Sequence, residues 1–346
     1  MMKWGEYNMD PINFDEAKQS QLPAVEMLVN LGWEYISSKQ ALALRNGDDS
    51  RVLLGDVLQR NLMRLNSYEH AGQQHKFTEQ ALARVAEELE ATRVDGIIDT
   101  SRQITDIIMP KLGGSTVKVF HDGHEESKSL RYFDFENLDN NEYHVTVEYR
   151  VVGREAIRCD IVCFVNGIPL AHIENKKSSV GYQKAIAQFQ RYQSPDFAPK
   201  LFIFEQLLLA MDGEKAYYGT TGTPEKFYTT WRERHMSPDE LDSNLRQIIS
   251  QPIDPTVYAR ILTDLNGATR GVEQMLIRTP SAQDEAIYGL LRPERILDIV
   301  KNYVFYDGAH KKVARYQQVF AIQRMLERVR QTEPTEYGSR HKGGII

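Results

Sequence analysis

Apolar positions recur with two periods along the 346-residue chain, and the changes of period mark out its elements. Helical spacing comes first. Leu22, Val25, Leu28 and Val29 share one face, and Gly32 in "LGWEY" supplies a C-terminal stop. Leu54, Val57, Leu58, Leu62 and Leu65 make a second helical face, and Leu82, Val85 and Leu89 a third. From about Thr116 the texture becomes that of strands. "TVKVF", "LRYFDF" and "YHVTVEYRVV" are rich in β-branched and aromatic residues, with Gly and Asn clusters between them. In "IVCFVNGIPLAHI", Asn166-Gly167 between two apolar runs predicts a type I′ hairpin. After Ser179 helical spacing returns, with Tyr182, Ala185, Ile186, Phe189 and Tyr192 on one face. "KLFIFEQLLLAMDGEKAYYGT" predicts a strand pair around Asp212-Gly213. From Met236 to Arg278 the chain is polar and broken by Pro238, Pro252 and Pro255, which predicts a helical linker. "RPERILDIVKNYVFY" and "ARYQQVFAIQRMLERVRQ" predict two more helices, the second with Val319, Ile322, Leu326 and Val329 on one face. "HKGGII" reads as the first residues of a strand. The pattern holds no internal repeat, and its class is α/β.

The length suits two ordinary domains or one large one. With 41% hydrophobic and 26% charged residues, a soluble globular chain is expected. No apolar run approaches the roughly 20 residues that span a bilayer, and "MMKWGEYNMDPINFDE" lacks the apolar core of a secretory signal. Cys159 and Cys163 have no further cysteine and no nearby His pair, so reduced core thiols are expected rather than a zinc site, and the cytoplasm as the compartment. A net charge of −6 argues against nucleic-acid binding by the whole surface but leaves room for a local basic groove.

The chemistry concentrates in "PLAHIENKKSS", Pro169 to Ser179. On a strand Glu174 and Lys176 point to the same face, and the hairpin folds that strand against the one carrying Asp160. Two carboxylates on neighbouring strands can hold a hard cation such as Mg²⁺, with the Asn175 carbonyl as a third ligand. An adjacent ammonium can orient or deprotonate an attacking water and offset phosphate charge. The bland alternative is a surface hairpin with a Glu–Lys pair. Downstream, Gln188 and Tyr192 lie four apart on one helix face. Lys176, Lys177, Lys184 and Arg191 make this the most basic stretch with interleaved aromatics, which suits contact with a phosphate backbone, or else simply a solvated face.

Asp160, Glu174-Asn-Lys176 and Gln188-x-x-x-Tyr192, in that order, resemble the PD-(D/E)xK nuclease core with its QxxxY helix. With the "LFIFEQLLLAMDGEKAYYGT" that follows, the chain is similar from about Phe14 onward to the restriction (R, or motor) subunit of type I restriction–modification enzymes. The resemblance implies a mixed sheet flanked by helices. It implies Asp160 and Glu174 as metal ligands for Mg²⁺, Lys176 as catalytic, and Gln188 and Tyr192 as supports for DNA engagement, with Lys177, Lys184 and Arg191 beside them. Many members carry an acid in the first helix; Glu16 or Gln21 stands nearest that place here. Arg315-x-x-Gln318-x-x-Ala321 resembles the adenine-reading motif that opens a superfamily 2 translocase, which puts Gln318 and Arg315 on a nucleotide. Double-stranded DNA, ATP, and methyltransferase (M) and specificity (S) subunits are the implied partners.

The sequence contains no G-x-x-x-x-G-K-[ST] loop, so no ATPase activity is expected of this chain by itself. The expected organisation is a flexible N-terminus over 1–13, an endonuclease domain over 14–235, a helical linker over 236–280 and the start of a RecA-like domain over 281–346, as an N-terminal part of a longer subunit. Asp160, Glu174 and Lys176 are expected to meet at one edge of the sheet. The alternatives are a docking module that keeps the nuclease fold without cutting, and a stand-alone nuclease.

Overall fold

The computed structural model describes residues 20–109, 114–121, 123–265, 274, 277–335 and 338–341, with side chains described as far as residue 331. Helix α1 (Leu22–Asn30) leads into β1 (Glu34–Tyr35), α2 (Ser38–Ala43) and α3 (Gly55–Leu65). A ribbon of β2 (Tyr68–His70) and β3 (Gln73–His75) is followed by α4 (Glu79–Glu90), α5 (Ile97–Ile108) and a second ribbon, β4 (Ser115–His121) and β5 (His124–Leu130). Then come β6 (Tyr143–Val152), β7 (Ala156–Val165), β8 (Ile168–Asn175), α6 (Tyr182–Tyr192), α7 (Pro199–Phe202), β9 (Leu207–Met211) and β10 (Ala216–Gly219). The last part holds α8 (Pro238–Ile249), α9 (Pro255–Asp264), α10 (Ala282–Leu291), α11 (Pro293–Asn302), the ribbon β11 (Val304–Asp307) with β12 (His310–Val313), α12 (Tyr316–Arg330), and the ribbon β13 (Thr332–Thr335) with β14 (Gly338–His341).

Six strands form one mixed sheet in the order β1-β6-β7-β8-β9-β10. β6, β7 and β8 run antiparallel as a meander, whereas β8 and β9 are parallel. A parallel neighbour needs a crossover, and α6 supplies it. Every residue of β8 and β9 is buried, as expected of strands covered on both faces. The mixed sheet with flanking helices is therefore the architecture expected, but Asp160 and Glu174 sit on its two central strands and not at an edge. The crossover places β9 and β10 on the far side of β8, which is what moves the pair inward.

The β7–β8 turn forms as predicted, with Asn166 at φ 49° and Gly167 at φ 83°. It is no surface turn. A Cβ on Gly167 would stand 2.6 Å from the Leu54 carbonyl oxygen, at the start of α3. The Asn166 side chain donates to the carbonyl of Tyr132 and to Asn141 Oδ1, at 2.8 and 2.9 Å. The hairpin is thus a central support of the core, and the surface-hairpin alternative is excluded.

"LRYFDF" does not form a strand beyond Leu130. Asp134 Oδ1 accepts from the backbone N–H of Glu136 and Asn137 at 3.0 and 2.9 Å, a local turn that outcompetes strand pairing while Tyr132 and Phe133 still reach the core. "KLF" begins a short helix on Pro199, so the strand pair around Asp212-Gly213 starts at Leu207. On α12 only Val319 of the expected apolar face is buried; Ile322, Leu326 and Val329 are exposed among the described residues. α8 and α9 pack back on the first elements, where Asn30 Nδ2 donates to the Ile248 carbonyl at 2.9 Å and the Tyr35 hydroxyl to Asp264 Oδ2 at 2.6 Å. Residues 1–19, among them Glu16, and residues 342–346 of "HKGGII" lie outside the described residues.

Candidate functional site

The meander sets β7 beside β8 in antiparallel register, Ile161 opposite Ile173, and so brings Asp160 next to Glu174. The backbone N–H of Asn175 donates to Asp160 Oδ2 at 2.7 Å, and that of Lys176 continues the ladder to the Met211 carbonyl at 2.8 Å. Lys176 Nζ lies 3.5 Å from Asp160 Oδ2 and 3.7 Å from Glu174 Oε2, and it donates to the Asn175 carbonyl at 2.7 Å. The three residues singled out from the sequence therefore meet around one ammonium. The Asn175 carbonyl, expected as a metal ligand, accepts from that ammonium with one of its two lone pairs.

Burial, and then the charge of Glu174, push the Asp160 carboxyl up to about 7, with Lys176 and the Asn175 N–H acting against them. Glu174 is fully buried, and its Oε2 has no hydrogen-bond partner. A buried acceptor without a hydrogen bond beside a second carboxylate is a donor set that suits a cation: charge brought there would relieve both groups at once.

Among the described residues, Gln21 reaches this place from the N-terminal side. Its Nε2 donates to the Asp160 carbonyl at 2.9 Å and to Glu148 Oε1 at 2.8 Å. The Asn175 side chain donates to Ser20 Oγ at 2.7 Å and to Gln283 Oε1, on α10, at 3.3 Å. Residues 263 positions apart in sequence thus hold the end of β8.

On α6, Gln188 Nε2 donates to the Tyr192 hydroxyl at 3.0 Å, and Tyr192 is buried behind the site, where burial and then the nearby Glu174 charge raise its pKa. Lys184, Gln188 and Arg191 follow the i, i+4, i+7 spacing of one stripe, and Lys184 and Arg191 are exposed. Lys177 is half-buried at the turn before the helix. Arg315 and Gln318 line a separate cavity of about 580 Å³ that Tyr218, Phe227, Phe305 and Lys311 also face. Gln318 Oε1 caps its own helix by accepting from the Arg315 N–H at 2.9 Å.

Two residues were not singled out from the sequence. His172 Nε2 stands 2.8 Å from Glu174 Oε1, and its Nδ1 3.2 Å from Glu205 Oε1; all three side chains are fully buried. Burial alone lowers the imidazole pKa, but Cys159, Glu205 and Glu174 outweigh it and hold it well above the ordinary value. The ligand atoms of Cys159, His172 and Glu174 lie within 4.8 Å of one another, the spacing of a metal site. Both ring nitrogens face carboxylates, and burial pushes the Cys159 thiol up to about 12. Cys159 and Cys163 are buried free thiols, as expected. The available signal for His172 was its place two residues before Glu174, on the same strand face.

Residues 13–227 match the family model described as the type I restriction enzyme R protein N terminus. The chain belongs to that family. This R-protein N terminus is 25% identical over 313 residues to the putative type I restriction enzyme MjaVIIIP endonuclease subunit of Methanocaldococcus jannaschii, covering 88% of this chain and 25% of that one. It is 22% identical over 317 residues to the HindI endonuclease subunit of Haemophilus influenzae, covering 88% and 26%. Against the EcoprrI endonuclease subunit of Escherichia coli it is 28% identical over 205 residues, 58% of each. The chain thus spans about a quarter of the length of the first two relatives. Among the described residues no helix is long and apolar enough to cross a membrane.

Proposed function

We propose that this R-protein N terminus is the DNA-cutting part of a type I restriction enzyme, with a PD-(D/E)xK core that hydrolyses phosphodiesters of double-stranded DNA when Mg²⁺ is bound. One observation carries the reading: a buried and a half-buried carboxylate and one ammonium converge at the end of β8, and Glu174 Oε2 has no hydrogen-bond partner. Asp160 and Glu174 would hold the ion, whose chemistry is to polarise the phosphate and lower the pKa of a bound water. Lys176 holds its ammonium where it offsets phosphate charge and orients the attacking water. The Gln188–Tyr192 pair fixes α6 behind the strands, so that Lys177, Lys184 and Arg191 contact the DNA backbone. Arg315 and Gln318 are assigned to adenine at the opening of a RecA-like motor, with ATP acting in the longer subunit, which assembles with methyltransferase and specificity subunits.

The test places Lys176→Ala and Asp160→Ala in the assembled enzyme and measures plasmid linearisation beside ATP-driven translocation. Cleavage is expected to fall by about a thousandfold or more, some 4 kcal/mol of lost transition-state stabilisation, while translocation is unchanged. Wild-type cutting by Lys176→Ala would overturn the assignment and favour a docking module.

A further inference from the structure

The carboxylate of Glu174 is divided. Oε2 faces Lys176 and is otherwise open, while Oε1 is tied 2.8 Å from His172 Nε2. The tie is itself braced. Glu205 Oε1 stands 3.2 Å from His172 Nδ1, an ion-pair contact short of a hydrogen bond, so the imidazole has a carboxylate at each nitrogen. Its ring packs edge-on against Phe189 of α6 at 4.9 Å between centroids, and against Phe202 of α7 at 5.8 Å. Glu205 is anchored in turn: its carbonyl accepts from buried Lys311 Nζ at 2.8 Å.

A Glu side chain has three rotatable bonds, and at the end of a strand little but its own hydrogen bonds sets the plane of its carboxylate. In a metal site a group that holds a ligand's spare atom fixes both its direction and its basicity. We propose that His172, braced by Glu205, is a positioning residue that sets the divalent-metal affinity of the site by holding Glu174 with Oε2 toward Asp160 and Lys176. The proposal rests on the reading of Glu174 as a metal ligand.

Two double variants isolate the tie. In His172→Gln/Glu205→Gln an amide at each position can continue the hydrogen-bonded chain to Glu174, without buried charge on either. In His172→Leu/Glu205→Gln the charges are the same, but Glu174 has nothing to hold Oε1. Binding of Mn²⁺ alone to the 346-residue chain is measured by titration calorimetry, with thermal melting recorded beside it. The leucine variant is expected to bind about 10- to 100-fold more weakly than the glutamine variant, which stays within about threefold of wild type. Equal binding by two folded variants overturns the proposal. Should the leucine variant not fold, Glu205→Met, which keeps the volume and removes the brace, decides alone: a loss of about three- to tenfold supports the brace, and unchanged affinity overturns it. Glu174→Gln with wild-type binding, or a wild-type chain that takes up no Mn²⁺ at millimolar concentration, overturns the metal-site reading and the proposal with it.

Discussion

The β7–β8 and β2–β3 hairpins turn with the same backbone and lead to different chemistry. Asn166 and Gly167 have φ of 49° and 83°; Ala71 and Gly72 have 49° and 78°. The first pair is buried against α3, the second exposed. Both hairpins carry ionisable rings. On the ribbons, His70 stacks on His121 at 3.9 Å, and His121 Nε2 meets the Tyr68 hydroxyl at 3.0 Å, all half-exposed. On β8 the ionisable side chains are closed off from water and each has a counterpart: Glu174 has His172, and His172 has Glu205. The turn decides that two strands pair; burial decides whether their charged residues must organise one another.

The sharpest way to break this comparison is to load the two turns alike. Gly167→Ala forces a Cβ into the left-handed region and against the Leu54 carbonyl, and should cost about 3 kcal/mol or more. Gly72→Ala meets nothing within 4 Å, so only the backbone penalty of about 1 kcal/mol is expected. Urea midpoints measure both, and equal losses would mean that the central turn is not the more constrained one.

A buried and a half-buried lysine sharpen the contrast. Burial pushes the Lys311 ammonium down to about 7, only partly offset by Glu205. Between pH 7 and about 10 the unfolded chain then binds more protons at this residue than the folded one, so stability should rise with pH across that window and fall on the way down to 7. The slope approaches about 1.4 kcal/mol per pH unit at its steepest. Lys311→Met should flatten it. Lys128→Met, on the solvated β5 where Nζ pairs with Glu126 at 2.6 Å, should not. Denaturation at pH 7 and pH 9 distinguishes the two.

The smallest effect concerns DNA. Removing the Lys184 and Arg191 charges together should weaken duplex binding by about tenfold at moderate salt and lower the salt slope by about 2. Lys118→Ala, on the exposed ribbon and paired with Glu125, should change neither. Filter binding across a salt series would show whether the basic stripe on α6 or the surface at large meets the phosphates.

What could be read in the sequence was whatever is local. Asn166-Gly167 specified its hairpin, and the spacing from Tyr182 to Tyr192 its helix. From these two, Asp160, Glu174, Lys176 and the Gln188–Tyr192 pair followed. "LRYFDF" misled because strand-like composition says nothing of Asp134 capturing its own backbone. α2 and α5 went unread, one of them six residues long and the other mixing β-branched residues with polar ones. The sheet's centre was mistaken for its edge because nothing in β8 announces a parallel partner beyond the crossover. His172 looked like one more residue of an apolar strand. Glu205 lies 33 positions further on, and only the fold sets it against the ring.

The amide of Asn175 is held by Ser20 and Gln283, so three stretches of chain far apart in sequence meet between Glu174 and Lys176. A carboxylate and an ammonium that flank a clamped residue are not independently adjustable. Any drift of α10 reaches both through the same peptide, and an adjustment that improved one would misplace the other. The site is therefore tuned like a joint rather than a set of separate screws: substitutions that tolerate α10 in its seat leave it whole, and those that unseat it are expected to disable it at once.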